Sequence, residues 1–380
     1  MSKSTAKRIL CIVGARPNFM KIAPVIRALN NARHSFDVRL LHTGQHYDAA
    51  MKQSFFDQLH IPEPDVDLGV GSGSHAVQTA EIMKRFEPVM DELQPDTILV
   101  VGDVNSTIAC ALVAVKKGIP VIHVEAGLRS GDRTMPEEIN RVLTDQISDL
   151  LLITERSAEE NLLREGVAGN KIHFVGNVMI DTLRYNLKDA VLAKETIHNV
   201  LPIEQAESIH ADYGLLTLHR PANVDDPVVL ACLLRTLVEI AERLPLIFPL
   251  HPRTRECIDN AGLNQLVNDS QLYLMPPQAY LNMLGLMKDA RVVLTDSGGI
   301  QEETTALGVP CITLRENTER PITVAEGSNT IVGVNPEKIK LCFNDIMQSG
   351  GKAGRIPEYW DGKAAERIAE VIGTWLYDNQ

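Results

Sequence analysis

No apolar run in this chain approaches the roughly 20 residues that a membrane-spanning helix needs, which excludes a helical membrane protein. No low-complexity tract or short-period repeat occurs, which excludes a solenoid. Among the six cysteines (Cys11, Cys110, Cys232, Cys257, Cys311 and Cys342) no Cys-x-x-Cys pair is found. They lie far apart and mostly within apolar runs, as buried thiols in a reducing cytoplasm would. Positive charge is scarce too: the net charge of −12 argues against a duplex nucleic acid partner, which demands clustered Lys and Arg. Any phosphate ligand must therefore be held locally. Met1–Arg8 runs straight into a short apolar strand, as expected of a cytoplasmic chain without a secretory leader. Several catalytic signatures are missing as well. Without Gly-x-Gly-x-x-Gly or a Gly-Lys-Ser/Thr ending, neither a dinucleotide cofactor nor a P-loop is expected. Without His-Glu-x-x-His or Gly-x-Ser-x-Gly, neither a dedicated metal site nor a serine hydrolase is.

What is present is an alternation. Apolar β-rich runs at 8–13, 37–42, 97–101, 120–124, 150–153 and 172–175 alternate with helical stretches such as 76–93 and 157–165. Strands alternating with helices predict a parallel, doubly wound sheet, and the near-continuous hydrophobicity of Ile98–Val101 and Leu151–Ile153 predicts strands covered on both faces. A polar stretch from Leu183 to Asp212 leads to a second series at 215–218, 246–250, 271–274, 291–295, 309–314 and 329–332, with helices expected at 227–243 and 278–288. Residues 363–376 read as an amphipathic helix. At 380 residues two domains are the natural expectation. We expect an α/β fold of two Rossmann-like domains, 1–180 completed by 364–380, and 181–363.

In such sheets ligands sit beyond the carboxyl ends of the strands, where strand order reverses. The polar motifs fall there. His123–Arg141 follows an apolar run with carboxylates and three arginines, so it suggests acid–base chemistry on an anion, with arginines as clamps. Asp103 taken alone reads as the N-cap of a helix at 105–117. Grouped with Glu125 and Glu137 it reads instead as one of three carboxylates able to divide the roles of acid and base. Gly14–Lys21 forms a strand-to-helix turn in which Arg16 and Lys21 could reach a diphosphate. Thr295–Glu303 sets Ser297, Gly298 and Gly299 at a helix start, where backbone N–H groups can cradle phosphate; an ordinary turn with Ser297 or Asp296 as N-cap is the plainer alternative. His219-Arg220 and His251-Pro-Arg253 each end an apolar run.

Taken together, Gly14–Pro24, Gly102-Asp103, His123–Arg129, Pro136–Arg141, His219-Arg220, Thr295–Glu303 and Arg315–Pro321 resemble the non-hydrolysing UDP-N-acetylglucosamine 2-epimerases along essentially the whole chain. The resemblance implies the glycosyltransferase-B architecture, in which two Rossmann-like domains face a cleft and the C-terminal helix crosses back to the first. It implies a cytoplasmic homodimer that interconverts UDP-N-acetylglucosamine and UDP-N-acetylmannosamine without a cofactor, through 2-acetamidoglucal, and supplies N-acetylmannosamine for cell-surface polysaccharide. Asp103, Glu125, Glu137 and His219 match the catalytic positions. Arg16, Lys21, His219, Ser297, Gly298, Gly299, Glu303 and Arg320 match the UDP-binding ones. Gln45, Arg220 and His251 match part of a second, regulatory UDP-sugar site, but the sequence departs from that pattern at Tyr47-Asp48 and in Gly71–His75. Rival readings keep the fold and change the chemistry: a 2-epimerase of UDP-2,3-diacetamido-glucuronic acid, a hydrolysing 2-epimerase, or a glycosyltransferase. A nucleotide-sugar binding module without catalysis leaves the three carboxylates unexplained.

Overall fold

The structure, a computed structural model, describes residues 6–44, 61–209 and 212–377, without the side chains of Arg16 and Pro17. It divides into two compact units, Met1–Tyr185 with Glu358–Gln380, and Asn186–Pro357.

In the first unit the apolar runs become β1 (Lys7–Val13), β2 (Phe36–His42), β3 (Val66–Asp67), β4 (Thr97–Val101), β5 (Val121–Ala126), β6 (Leu150–Ile153) and β7 (Ile172–Phe174). All pair in parallel, in the order β3-β2-β1-β4-β5-β6-β7. The Thr-Ile-Leu-Val-Val of β4 is buried at every position, because helices cover both faces. The His75–Leu93 helix shows the complementary pattern: Gln78, Ile82, Phe86 and Met90, spaced by four, form its one buried stripe. The chain moves outward from β1 to β3 and restarts at β4 on the other side, so the ends of β1 and β4 flank the switch point.

The second unit repeats the plan with β8 (Gly214–Thr217), β9 (Leu246–Pro249), β10 (Leu272–Met275), β11 (Val292–Thr295), β12 (Cys311–Thr313) and β13 (Asn329–Ile331). Its parallel order is β10-β9-β8-β11-β12-β13, with the switch between β8 and β11. Leu216, Leu234, Phe248, Leu294 and Phe343 belong to its core. The stretch read as a polar connection is largely helical, at Val178–Asn186, Ala193–Val200 and Ile203–Ser208. Its buried apolar residues are few: Leu183, Ala193, Ile197, Leu201 and Ala206 are buried, whereas Leu192 and Ile203 are exposed. Gly285 admits this segment, since a Cβ there would lie 1.7 Å from the carbonyl oxygen of Val191.

The last helix, Ala364–Tyr377, returns to the first unit. Its buried face contains Ala365, Ala369 and Gly373, small enough for close approach; a Cβ on Gly373 would meet the His34 ring at 2.4 Å. Tyr377 stacks on that ring, and its hydroxyl donates to the Ser35 carbonyl at 2.6 Å. At the other end, the carboxylate of buried Asp181 accepts from the N–H groups of Ala364 (3.1 Å) and Ala365 (2.7 Å). Burial nevertheless dominates and pushes Asp181 up to about 6. Because the folded value exceeds the ordinary one of about 3.9, this group's stabilising contribution is complete below that value and is lost as pH rises through 6. Between pH 4 and pH 8 the wild type should therefore lose about 3 kcal/mol relative to Asp181→Asn. Both tryptophans, Trp360 and Trp375, lie in this unit, so urea melts followed by tryptophan fluorescence read the difference; a gap that stays constant with pH contradicts it.

All six cysteines are free thiols. Burial pushes Cys11 and Cys311 up to about 12. Among the described residues no helix is long and apolar enough to cross a membrane.

Candidate functional site

At the switch point of the first sheet, β1 is followed by Gly14, where a Cβ would overlap the Ser106 hydroxyl at 2.0 Å. The turn is built around Asn18, whose side-chain oxygen accepts from the N–H groups of Gly14 (3.3 Å) and Ala15 (3.0 Å). Its amide donates to the Val101 carbonyl at 3.0 Å, joining the ends of β1 and β4. One turn later Lys21 enters the interior. Its Nζ lies 2.7 Å from Glu125 Oε2, in a pair whose side chains are 7% and 2% exposed. Gly102, at φ +66°, makes room: a Cβ there would approach Lys21 Nζ to 3.0 Å. Lys21, expected at a diphosphate, is thus paired with an expected catalytic carboxylate. The Arg16 side chain and Gln45 lie outside the described part.

Glu125 has φ +71°, a left-handed conformation that costs a non-glycine residue energy. It forms an irregularity in the β5–β6 pairing: Val124 faces Leu152 and Ala126 faces Ile153, and Glu125 is skipped. Such bulges re-aim a side chain and concentrate near active sites. The alternation of β5 alone could not have revealed this.

Asp103 does not cap its helix. The N-cap of Asn105–Lys116 is Val104, and the Asp103 carboxylate receives Arg141 Nη2 at 2.5 Å. Asn140 donates to the Asp103 carbonyl at 2.9 Å, so the Pro136–Ile147 helix is docked onto the end of β4. Arg141 also binds Glu138 at 2.5 Å. Although burial opposes its charge, Glu138 is held below the usual carboxylate range by the N–H groups of Ser130 and Gly131 and by Arg141. Glu137 sits in the first turn of this helix, half-buried and on the Arg141 side by its spacing of four. The structure joins Glu125 to Lys21 and Asp103 to Arg141 and Glu138; Glu137 shares their rim through its helix.

Two of the three arginines read from the sequence as clamps are occupied. Arg129 binds Asp145 (2.8 Å) and Glu165 (2.6 Å), and Arg141 spans Asp103 and Glu138. His123 is fully buried, with Nδ1 2.7 Å from Asp145 and Nε2 2.8 Å from the Gly102 carbonyl. These partners stand 21 and more residues away in sequence, so no local pattern discloses them.

In the second unit, the Gly298–Leu307 helix starts at the end of β11 with Ser297 as N-cap and no side-chain cap bond. Asp296 instead faces the end of β8: it accepts from the N–H groups of His219 and Arg220, from Asn223 Nδ2, and pairs with His219 Nδ1 at 2.9 Å. Around the helix start, Glu319 is buried beside Arg315 (2.8 Å) and Arg220 (3.6 Å). Although burial opposes its charge, the Arg320 and Arg315 guanidiniums hold it well below the usual carboxylate range. A Cβ on Gly298 would lie 2.5 Å from its Oε1. Arg320 pairs with buried Glu302 at 2.9 Å, and Glu303 accepts the Tyr280 hydroxyl at 3.1 Å. His251 caps its own helix, Nδ1 accepting from the Arg253 N–H at 3.2 Å, while its ring lies 6.0 Å from that of His219. Among the described residues no group of three or more His, Cys, Asp or Glu is placed to hold a metal ion.

Each unit is thus a Rossmann-like domain with its polar groups at the switch point: carboxylates on one, and arginines, a histidine and a glycine-rich helix start on the other. The model of the UDP-N-acetylglucosamine 2-epimerase family matches residues 27–373. A UDP-N-acetylglucosamine 2-epimerase of Methanocaldococcus jannaschii is 44% identical over 368 residues, 96% of this chain and 98% of its own. A crystal structure of that organism's UDP-GlcNAc 2-epimerase in complex with UDP-GlcNAc and UDP superimposes with a TM-score of 0.86 at 42% identity, covering 96% of this chain and 99% of its own. A UDP-2,3-diacetamido-2,3-dideoxy-D-glucuronate 2-epimerase of Pseudomonas aeruginosa is 39% identical over 372 residues, 96% of this chain and 99% of its own. This chain belongs to the UDP-N-acetylglucosamine 2-epimerase family.

Proposed function

We propose that this protein interconverts UDP-N-acetylglucosamine and UDP-N-acetylmannosamine by eliminating UDP and adding it back. The observation that carries this reading is the Glu125–Lys21 pair, a strained carboxylate kept buried beside a cation at the end of β5, on the rim that also bears Asp103. Inverting carbon 2 requires removing a proton that is not acidic in the intact sugar. As the C1–O bond breaks and UDP departs with its electron pair, positive charge grows at C1 and the C2 proton can pass to a carboxylate, leaving the glycal. Return of a proton to the opposite face, with attack of a β-phosphate oxygen on C1, gives the epimer. No electrons are gained or lost overall, so no redox cofactor is required.

We assign the sugar chemistry to Asp103, Glu125 and Glu137 on the first domain. The nucleotide we assign to the second: backbone N–H groups at Ser297, Gly298 and Gly299 for phosphate, Glu303 for the ribose, and His219 and Arg320 for the diphosphate. The homodimer, the cytoplasmic location and the supply of N-acetylmannosamine for polysaccharide belong to the same proposal. The test is incubation with UDP-N-acetylglucosamine in deuterated water. Deuterium should enter carbon 2 of both sugar nucleotides without release of free N-acetylmannosamine; recovery of unlabelled sugar nucleotide sinks the reading. The Pseudomonas aeruginosa relative motivates the same assay on UDP-2,3-diacetamido-glucuronic acid, and exchange confined to that substrate would favour it instead.

A further inference from the structure

His219 lies just beyond β8 and Asp296 just beyond β11, and pairing of Thr217 with Thr295 places the two strand ends side by side at the second switch point. Asp296 is fully buried. Its carboxylate accepts from the His219 N–H (3.0 Å), the Arg220 N–H (2.9 Å) and Asn223 Nδ2 (3.2 Å), and lies 2.9 Å from His219 Nδ1. Burial opposes its charge, but the His219 ring and the backbone N–H groups of Arg220 and His219 outweigh burial and hold the acid below its ordinary range. An ionised carboxylate can only accept hydrogen bonds, so the imidazole must present a proton on Nδ1. That leaves Nε2 as the ring's other polar atom, on a side chain 39% exposed. The neighbouring His251 ring, 6.0 Å from that of His219, turns its Nδ1 to the Arg253 N–H.

We propose that Asp296 is the positioning residue for His219: it fixes the ring's orientation and its charge keeps a proton on Nδ1, so that the second proton of the imidazolium, on Nε2, is aimed at the departing diphosphate. The assignment rests on the epimerase reading for its catalytic consequence but not for its geometry. A free imidazole must lose rotational freedom and select a tautomer each time it meets a ligand; here both are settled beforehand by a buried carboxylate that is itself fixed by backbone donors.

Asp296→Asn is the test. The asparagine oxygen can still accept from the backbone, whereas its amide would donate to Nδ1, impose the opposite tautomer and, being uncharged, no longer support a ring protonated on both nitrogens. Carbon-2 exchange should fall about a hundredfold in kcat, with KM changed less than about threefold. Nitrogen-15 spectra of labelled histidines should show His219 as the Nδ1–H form in the wild type and the Nε2–H form in the variant. His219→Ala should lose at least as much activity, and adding Asp296→Asn to it should cost nothing more. Asn223→Ala removes a donor to the same carboxylate without touching the ring, so it should keep both the tautomer and kcat, whatever it does to stability. An unchanged tautomer in Asp296→Asn, or additive losses in the double variant, overturns the proposal. The spectra need no turnover, so a wild type without exchange would defeat the epimerase reading and still leave the pairing open to measurement.

Discussion

Replacing Glu125 by glutamine should lower kcat for carbon-2 exchange by about 10²- to 10⁴-fold while leaving UDP affinity within about twofold. The loss belongs to the sugar, because a carboxylate's charge would repel a diphosphate. Its surroundings explain why charge and position both count. The side chain is 2% exposed and paired with an almost equally buried lysine, and the backbone holds a left-handed φ of +71° to aim it there. Glutamine preserves the shape but leaves Lys21 buried without a countercharge, which should cost about 3–5 kcal/mol of stability. The double variant Lys21→Met/Glu125→Gln should recover most of that stability and none of the exchange. Urea unfolding beside the exchange assay separates the two effects, and full activity in Glu125→Gln refutes the role.

Arg141→Ala should destabilise the first domain by about 3–5 kcal/mol. Arg141 is 4% exposed and spans two carboxylates, Asp103 and Glu138. Without it both face one another with no cation between them, and the Pro136–Ile147 helix loses its ionic tie to the end of β4. Glu138 keeps the N–H groups of Ser130 and Gly131, so the helix start should survive better than the placement of Asp103. Lysine should not restore the function, because a single ammonium cannot reproduce a planar fork that reaches both oxygens. Exchange should fall even where the variant remains folded. A loss below about 1 kcal/mol with normal exchange would show that the bridge contributes neither stability nor position.

The sequence disclosed most where a single residue's environment is set by its neighbours along the chain. The runs at 97–101 and 150–153 coincide with β4 and β6, since strands covered on both faces must be apolar throughout. Val66–Asp67 escaped because a two-residue edge strand carries no periodicity. The helices between 183 and 212 escaped because their buried apolar residues are few and set among polar ones. Within the site, local spacing could say that Asp103 stood where an N-cap might, but Arg141, which claims its carboxylate, arrives 38 residues later. Asp296 is the same case: its position suggested a cap, and only the side-by-side ends of β8 and β11 reveal His219 as its partner. Arginines in an acidic segment suggested an anion clamp, yet Arg129 and Arg141 serve carboxylates of the same domain.

The most direct test of elimination and re-addition uses UDP-N-acetylglucosamine labelled with oxygen-18 in the bridge between C1 and the β-phosphorus. If UDP departs with that oxygen and adds back, its β-phosphate can turn before C1 is attacked. The recovered sugar nucleotides should then carry part of the label in non-bridging positions, at a rate comparable to epimerisation and abolished in Glu125→Gln. Epimer formed with the label wholly retained in the bridge, and with no 2-acetamidoglucal or UDP appearing on prolonged incubation, would mean that carbon 2 inverts while the C1–O bond stays intact, and would contradict the account.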